Sequence, residues 1–179
     1  MSDKQTRIPV RILTRWALLT AAALILSWVE SMLPFRIPVP GVKLGFSNVI
    51  VTYVLYEYSL PAALLFALLK VLTAAVFLGH LSGLPFALCG TLLSVCGMAL
   101  LKKAPCFSAL GVNCSGAVLH GAGQLVAASF LLSPSVLTLL PAMTVASAVC
   151  GAVTWIPLRA VGLCAQRLKQ TEKPRKFEQ

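Results

Sequence analysis

Long apolar runs separated by short polar connectors dominate the chain. Between residues 12 and 165 the runs carry hardly any charge, and most approach the roughly 20 residues that a helix needs to cross a bilayer. This pattern predicts an all-α, polytopic membrane protein with six spans. The predicted spans cover residues 12–32, 44–57, 61–78, 84–101, 107–132 and 137–163. The second span is short and rich in β-branched residues, so it could be a tilted or partial helix.

The connector between the first two spans contains Pro-Val-Pro-Gly-Val-Lys-Leu-Gly-Phe-Ser-Asn over residues 38–48. Its prolines favour extended backbone, and its proline–glycine pair predicts a turn. Ser47 or Asn48 could cap the second helix. Lys43 lies just outside that helix start, where a cation beside the positive end of a helix suits an anion. Two interpretations stay open here, an ordinary polar linker and a segment that faces a substrate.

Composition places the chain in the bilayer. Of its 179 residues, 58% are apolar and 11% are charged, whereas a soluble domain carries roughly 25% charged residues. The net charge of +10 comes from basic clusters beside the apolar runs, as the positive-inside rule expects of cytoplasmic flanks. We therefore expect no nucleic-acid partner, and a multi-pass protein of the bacterial inner membrane.

The charge asymmetry also predicts the topology. We expect one membrane domain over residues 1–179, with both termini cytoplasmic. It divides into a basic amino terminus (1–11), six spans (12–165) and a basic tail (166–179). No convincing small-x-small cleavage site follows the first apolar run, so we expect that run to be a retained helix rather than a signal peptide.

Several kinds of chemistry have no matching motif. The six cysteines show no CxxC or CxxH spacing, and there is no Walker A loop, HExxH or aspartate-rich diphosphate motif. Only five acidic residues occur, and none cluster. We expect no catalytic residue, no metal site and no bound cofactor, and hence a protein that is not an enzyme by itself.

Polar side chains within the spans are the candidate functional residues. Lys70 lies near the middle of the third span, where a charge costs roughly 2.5–3.5 kcal/mol. It could await a carboxylate or phosphate on a ligand, or form a structural ion pair with Glu30. His120 and Gln124 share one helix face at i, i+4. They could bind a planar ring, or they could hydrogen-bond between helices. Gly116 and Gly123 flank that face and would admit a neighbour or a ligand.

The predicted topology gathers these residues into a pocket open to the outside. The candidate substrate-binding residues are Glu30, Lys43, Asn48, Lys70, His120 and Gln124, with Lys70 and His120 the deeper pair. Four aromatic residues could line the pocket or face lipid instead, namely Trp28, Phe46, Tyr53 and Phe77.

Three motifs resemble the Gx transporter family, whose members are often described as heptaprenyl diphosphate synthase component I. They are the 38–48 connector, Leu-Leu-Lys-Val-Leu at 68–72 and Gly-Ala-Val-Leu-His-Gly-Ala-Gly-Gln at 116–124. Position 70 is commonly arginine in that family, so the lysine keeps the charge and loses the bidentate fork. The family is similar to the substrate-binding (S) components of energy-coupling factor (ECF) transporters, which are six-helix proteins that capture vitamin-like molecules.

The resemblance implies several partners and roles. A transmembrane scaffold subunit and two ATPases would drive transport and hydrolyse ATP. Ala17 and Ala21 would match the alanine stripe that docks on the scaffold, and the connector with Lys43 would act as a lid. The leading expectation is an S component for a small, anionic vitamin- or quinone-precursor-like molecule. The alternative is a membrane accessory subunit, component I, of heptaprenyl diphosphate synthase in prenyl-quinone synthesis.

Overall fold

The computed structural model describes residues 10–32, 43–79 and 81–171, and within these ranges it is helical with no strand. The predicted turn and extended backbone at 38–42, the lid residues 33–42 and the basic ends at 1–9 and 172–179 lie outside the described residues. The six α-helices are α1 (Val10–Met32), α2 (Asn48–Glu57), α3 (Leu60–Phe77), α4 (Leu84–Lys102), α5 (Ala109–Leu131) and α6 (Leu140–Thr171). Short 3-10 segments precede α4 at Leu81–Gly83 and α6 at Pro134–Leu139.

Serine residues and prolines define several helix starts. The Ser59 hydroxyl accepts the Ala62 N–H ahead of α3, and proline lies in the first turn, where its missing N–H costs nothing. Ser108 accepts the Gly111 N–H in the same way at the start of α5. These caps satisfy amides that have no partner inside the helix. They explain why the apolar runs become helical at those residues.

Within the part of the chain that the structure describes, five helical stretches are long and apolar enough to cross a membrane. By length and composition they are Ile12–Met32, Leu60–Phe77, Leu81–Lys102, Ala109–Leu131 and Pro134–Ile156. This identifies the chain as a multi-pass membrane-type helical protein. The predicted second span is the exception, because α2 has ten residues and extends only about 15 Å, half the roughly 30 Å hydrocarbon core. The six-span count and the sidedness of the termini stay predictions.

The short helix α2 forms the centre of the bundle. Seven of its ten residues are buried, and it contacts α1, α3, α4, α5 and α6. A helix that is apolar on all sides is stable only when neighbours surround it. The main apolar core accordingly runs along α2, from Val49 to Leu55, and continues into α3 at Phe66. The buried residues at the amino end of α2 therefore lie among the longer helices.

Helices α4 and α5 form the closest pair, and two glycines permit their approach. A Cβ on Gly123 would lie 2.8 Å from the Cα of Gly90, and a Cβ on Gly90 would lie 2.5 Å from the carbonyl oxygen of His120. Small residues at such crossings let two backbones approach each other. Gly123 therefore makes room for a neighbouring helix, which is one of the two alternatives, a neighbour or a ligand, that the sequence predicts there. The crossing also sets the position of the α5 face that bears His120 and Gln124.

Candidate substrate-binding site

A cavity lies where the connector meets α1, α3, α4 and α5. The space between its walls is about 500 Å³ when the part open to the surroundings is counted, and about 50 Å³ of it can hold the centre of a water-sized sphere, which is room for small molecules or water. The lining residues are Ser27, Glu30, Lys43, Gly45, Ser47, Lys70, Val71, Ala74, Ala75, Gly83, Leu84, Ala87, His120 and Gln124. Five of the six predicted substrate-binding residues therefore line one cavity, although they come from four separate parts of the chain.

Lys70 is buried in the wall of this cavity, with 4% of its surface exposed. Its ammonium donates to Ser47 Oγ at 3.2 Å and to Asn48 Oδ1 at 3.1 Å. Both acceptors are neutral, and an ammonium has a third N–H to give. No partner for that third N–H occurs among the described residues. Lys70 thus projects a positive charge towards the start of α2 and is not hydrogen-bonded to Glu30.

Ser47 does not cap α2, contrary to its predicted role. It precedes the helix, but its side chain makes no capping hydrogen bond. The hydroxyl accepts from the Lys70 ammonium instead, because α3 brings that donor against the same end of α2. The helix begins at Asn48, after the predicted start of the second span at residue 44, and the predicted side-chain cap by Ser47 is wrong. The first amides of α2 are satisfied by the preceding turn instead, because the N–H groups of Asn48, Val49 and Ile50 donate to the carbonyl oxygens of Gly45, Phe46 and Ser47.

Glu30 holds the end of the connector. One carboxylate oxygen accepts the Gly45 N–H at 2.7 Å and the other accepts the Phe46 N–H at 3.2 Å. Glycine is needed at position 45 because its φ is +94°, a left-handed value that side chains disfavour. A Cβ there would also lie 3.3 Å from Asn48 Nδ2 and 3.4 Å from His120 Cδ2. Glu30 therefore acts on the connector backbone rather than as a direct partner of Lys70.

Gln124 ties the connector to α5. Its Oε1 accepts the Lys43 N–H at 2.9 Å, and its Nε2 lies 3.0 Å from His120 Nε2. The first contact requires the amide oxygen to face Lys43, so the amide nitrogen faces the imidazole and donates to it. His120 Nε2 must then be the acceptor, which places the imidazole hydrogen on Nδ1. The hydrogen bond from the Lys43 N–H therefore orients the Gln124 amide, and that amide determines which imidazole nitrogen of His120 carries the hydrogen.

The Lys43 side chain lies at the mouth of the cavity. Partial burial lowers the pKa of its ammonium, and the neighbouring Glu30 carboxylate counteracts part of that change. The segment 43–46, with Glu30 below it and Gln124 beside it, forms a partial cover over the cavity.

Asn48 lies behind Lys70 and does not line the cavity. Its Oδ1 accepts from Lys70, while its Nδ2 donates to Ser94 Oγ at 3.4 Å. Ser94 then donates to the carbonyl oxygen of Gly116 at 2.7 Å. Asn48 therefore orients the ammonium and connects α2, α3, α4 and α5. Its predicted direct contact with substrate stays a prediction.

A second polar cluster deeper in the bundle was not singled out as functional by the sequence. Thr52 donates to Asn113 Oδ1 at 2.8 Å, and Asn113 Nδ2 donates to the Gly151 carbonyl at 2.8 Å. Asn113 is buried. The only sequence signal was a polar amide within an apolar run. This cluster fixes α2 against α5 and α6, and so it supports the cavity from below.

Other predicted residues lie outside the cavity. Trp28 and Phe77 are 50% and 76% exposed, so they face the surroundings, and none of the four candidate aromatic residues occurs in the lining. The apolar part of the lining consists of alanine, valine and leucine. Ala17 and Ala21 are exposed on α1, which leaves them accessible to a partner.

Taken together, the fold and this site define a class of protein, a multi-pass helical membrane-type protein with a small, charged cavity enclosed at one end of its bundle. A family model described as heptaprenyl diphosphate synthase component I matches residues 19–161. The chain belongs to that family, as the three sequence motifs predict. No match was found among curated proteins or among solved structures.

Proposed function

We propose that this chain is the substrate-binding component of an ATP-driven, ECF-type uptake transporter for a small anionic molecule. The observation that supports this best is the Lys70 ammonium, which is buried in a cavity wall with two neutral acceptors as partners. A charged group within a membrane domain is costly. A bound ligand anion would offset that cost, so a role in substrate binding would account for a buried lysine at this position.

The connector would respond to the substrate. A molecule that entered from outside would meet Lys70 and the start of α2 below, and the segment 43–46 above. That segment is already attached to α1 through Glu30 and to α5 through Gln124. Ligand contacts to Lys43 would add to these attachments and close the cover over the cavity.

The energy for transport would come from other subunits. In this proposal the chain binds no cofactor and catalyses no reaction, and a scaffold subunit with two ATPases binds and hydrolyses ATP. Ala17 and Ala21 would contact the scaffold through the exposed side of α1. Small residues there would allow a partner helix to approach closely.

Uptake and docking are tested together by Ala17→Trp combined with Ala21→Trp. Uptake by cells that also express the scaffold and ATPases should fail, whereas the purified variant should keep its ligand. Val76→Trp is the matched control, because Val76 is exposed on a different helix, α3. Normal uptake by the double variant would contradict the docking assignment.

The family description supports a second candidate, an accessory membrane subunit of heptaprenyl diphosphate synthase. This function predicts that the purified chain in lipid nanodiscs increases heptaprenyl diphosphate formation by a soluble synthase subunit. The Lys70→Met variant serves as a comparison. Stimulation of synthesis without any nucleotide-dependent uptake would favour the accessory role over transport.

A further inference from the structure

The cavity contains unequal numbers of positive and negative groups. Lys43 and Lys70 line it together with one carboxylate, that of Glu30. Both oxygens of Glu30 accept backbone N–H groups, which is the pattern of an ionised carboxylate rather than a carboxylic acid that must donate. Two ammonium groups against one carboxylate leave a single positive charge in excess.

The excess charge lies at the start of α2. Lys70 is hydrogen-bonded there and retains a free N–H. The first amides of α2 already donate to the carbonyl oxygens of the preceding turn, so among the described residues at this helix end the Lys70 ammonium is the donor that remains for a ligand. The acceptor that would complete this arrangement is an anionic oxygen from outside the chain.

Glu30 limits how much negative charge the cavity can accept. Its charge acts on both Lys43 and Lys70, and its two hydrogen bonds to the connector prevent it from turning away. A ligand with one negative charge would neutralise the excess. A phosphate monoester carries about −1.5 to −2 at pH 7, so it would leave uncompensated negative charge beside a buried carboxylate, which is costly.

We infer that the cavity selects a monoanionic, carboxylate-bearing small molecule, and that Glu30 is the residue that rejects phosphate monoesters and diphosphates. The inference rests on the proposed function, in which this cavity is the substrate site, and it specifies the charge of the substrate. The carboxylate contacts Lys70. Val71, Ala74, Ala75, Leu84 and Ala87 accommodate an apolar body. A prenyl diphosphate is therefore not the occupant of this cavity.

The test compares anions that differ in their head group. The full chain in mild detergent is titrated with butanoate, butyl phosphate or isopentenyl diphosphate at constant ionic strength, and the shift of the thermal-unfolding midpoint gives each apparent Kd. We expect butanoate to bind about tenfold more tightly than butyl phosphate, because one unpaired charge near Glu30 interacts strongly at low effective dielectric constant. Lys70→Met should abolish both responses, while Lys103→Met, at the exposed end of α4, should match the wild type.

The Glu30→Gln variant tests whether Glu30 is the residue that disfavours phosphate monoesters relative to carboxylates. Removing this charge should bring the two affinities within about threefold of each other. If the variant does not fold, the ratio measured with the wild-type chain still tests the selection of one negative charge by the cavity. Equal or tighter binding of butyl phosphate or the diphosphate by the wild type would overturn the inference. So would the absence of any anion response, or an unchanged ratio in a folded Glu30→Gln variant.

The experiments distinguish a failure of charge selection from a failure of the proposed transport function. Selective carboxylate binding without nucleotide-dependent uptake would contradict the transport role and leave charge selection intact. Nucleotide-dependent uptake with preferential diphosphate binding would overturn charge selection and leave transport intact.

Discussion

Replacing Gly123 with alanine tests whether the α4–α5 crossing determines the site. The new Cβ would lie 2.8 Å from Gly90 Cα and 3.1 Å from the Cys89 carbonyl oxygen. Carbon atoms pack at about 3.5–4.0 Å, so the two backbones must separate by about 1 Å. Overpacking of this kind costs about 1–3 kcal/mol, and the higher helix propensity of alanine offsets up to about 1 kcal/mol.

We therefore expect Gly123→Ala to reduce the free energy of unfolding by about 1–2 kcal/mol, or several degrees in the unfolding midpoint. Anion affinity should fall as well, because the displacement lengthens the contact between Gln124 and the connector. Gly111→Ala is the matched control in the same helix, since its Cβ would lie 3.4 Å from Phe107 Cδ1, an ordinary contact. Thermal unfolding and butanoate titration in detergent measure both effects. Equal midpoints and affinities for the two variants would refute the reasoning.

Three further experiments test separate contacts. Lys70→Met should change the free energy of unfolding by only about 1 kcal/mol in either direction, because the lost hydrogen bonds and the relieved desolvation offset each other. Thermal unfolding of the ligand-free protein measures this change. A loss above about 4 kcal/mol would indicate a structural lysine. Asn113→Leu with Thr52→Val should show a coupling free energy of about 1 kcal/mol in a double-mutant cycle, and zero coupling would contradict the 2.8 Å hydrogen bond. Lys102→Met should cost about 1–2 kcal/mol, because its ammonium donates at 2.7 Å to a carbonyl at the end of α2 and lies 4.8 Å from a tyrosine ring. Lys103→Met, the adjacent control, should leave the unfolding midpoint unchanged.

The helices were largely predictable because apolar runs within a membrane protein have few alternative structures. Predicted spans at 84–101 and 107–132 became helices over Leu84–Lys102 and Ala109–Leu131. The second span differed at its start, since the predicted start at residue 44 moved to Asn48. A turn precedes that residue, in which Asn48 N–H donates to the Gly45 carbonyl and Gly45 takes its positive φ. Hydropathy does not register such a turn, because the flanking residues are still apolar.

The charged residues of the candidate site were predictable from the sequence, but their hydrogen-bond partners were not. Charged groups within apolar runs must be accommodated somewhere, and this principle selected Lys70 and Glu30. It also suggested that they could pair with each other. In the structure each has other partners, since α3 brings Lys70 against Ser47 while the connector brings its amides to Glu30. These contacts depend on how α1, α3 and the connector pack, which the local sequence pattern does not encode.

Mass spectrometry of small molecules retained through mild-detergent purification tests the central claim most directly. The account predicts that the wild-type chain retains a monoanionic carboxylate compound, that Lys103→Met retains it equally, and that folded Lys70→Met loses it. Retention of the same compound by Lys70→Met would contradict the claim that this cavity binds the substrate through Lys70. Retention of a prenyl diphosphate by the wild type would contradict the assigned charge of that substrate.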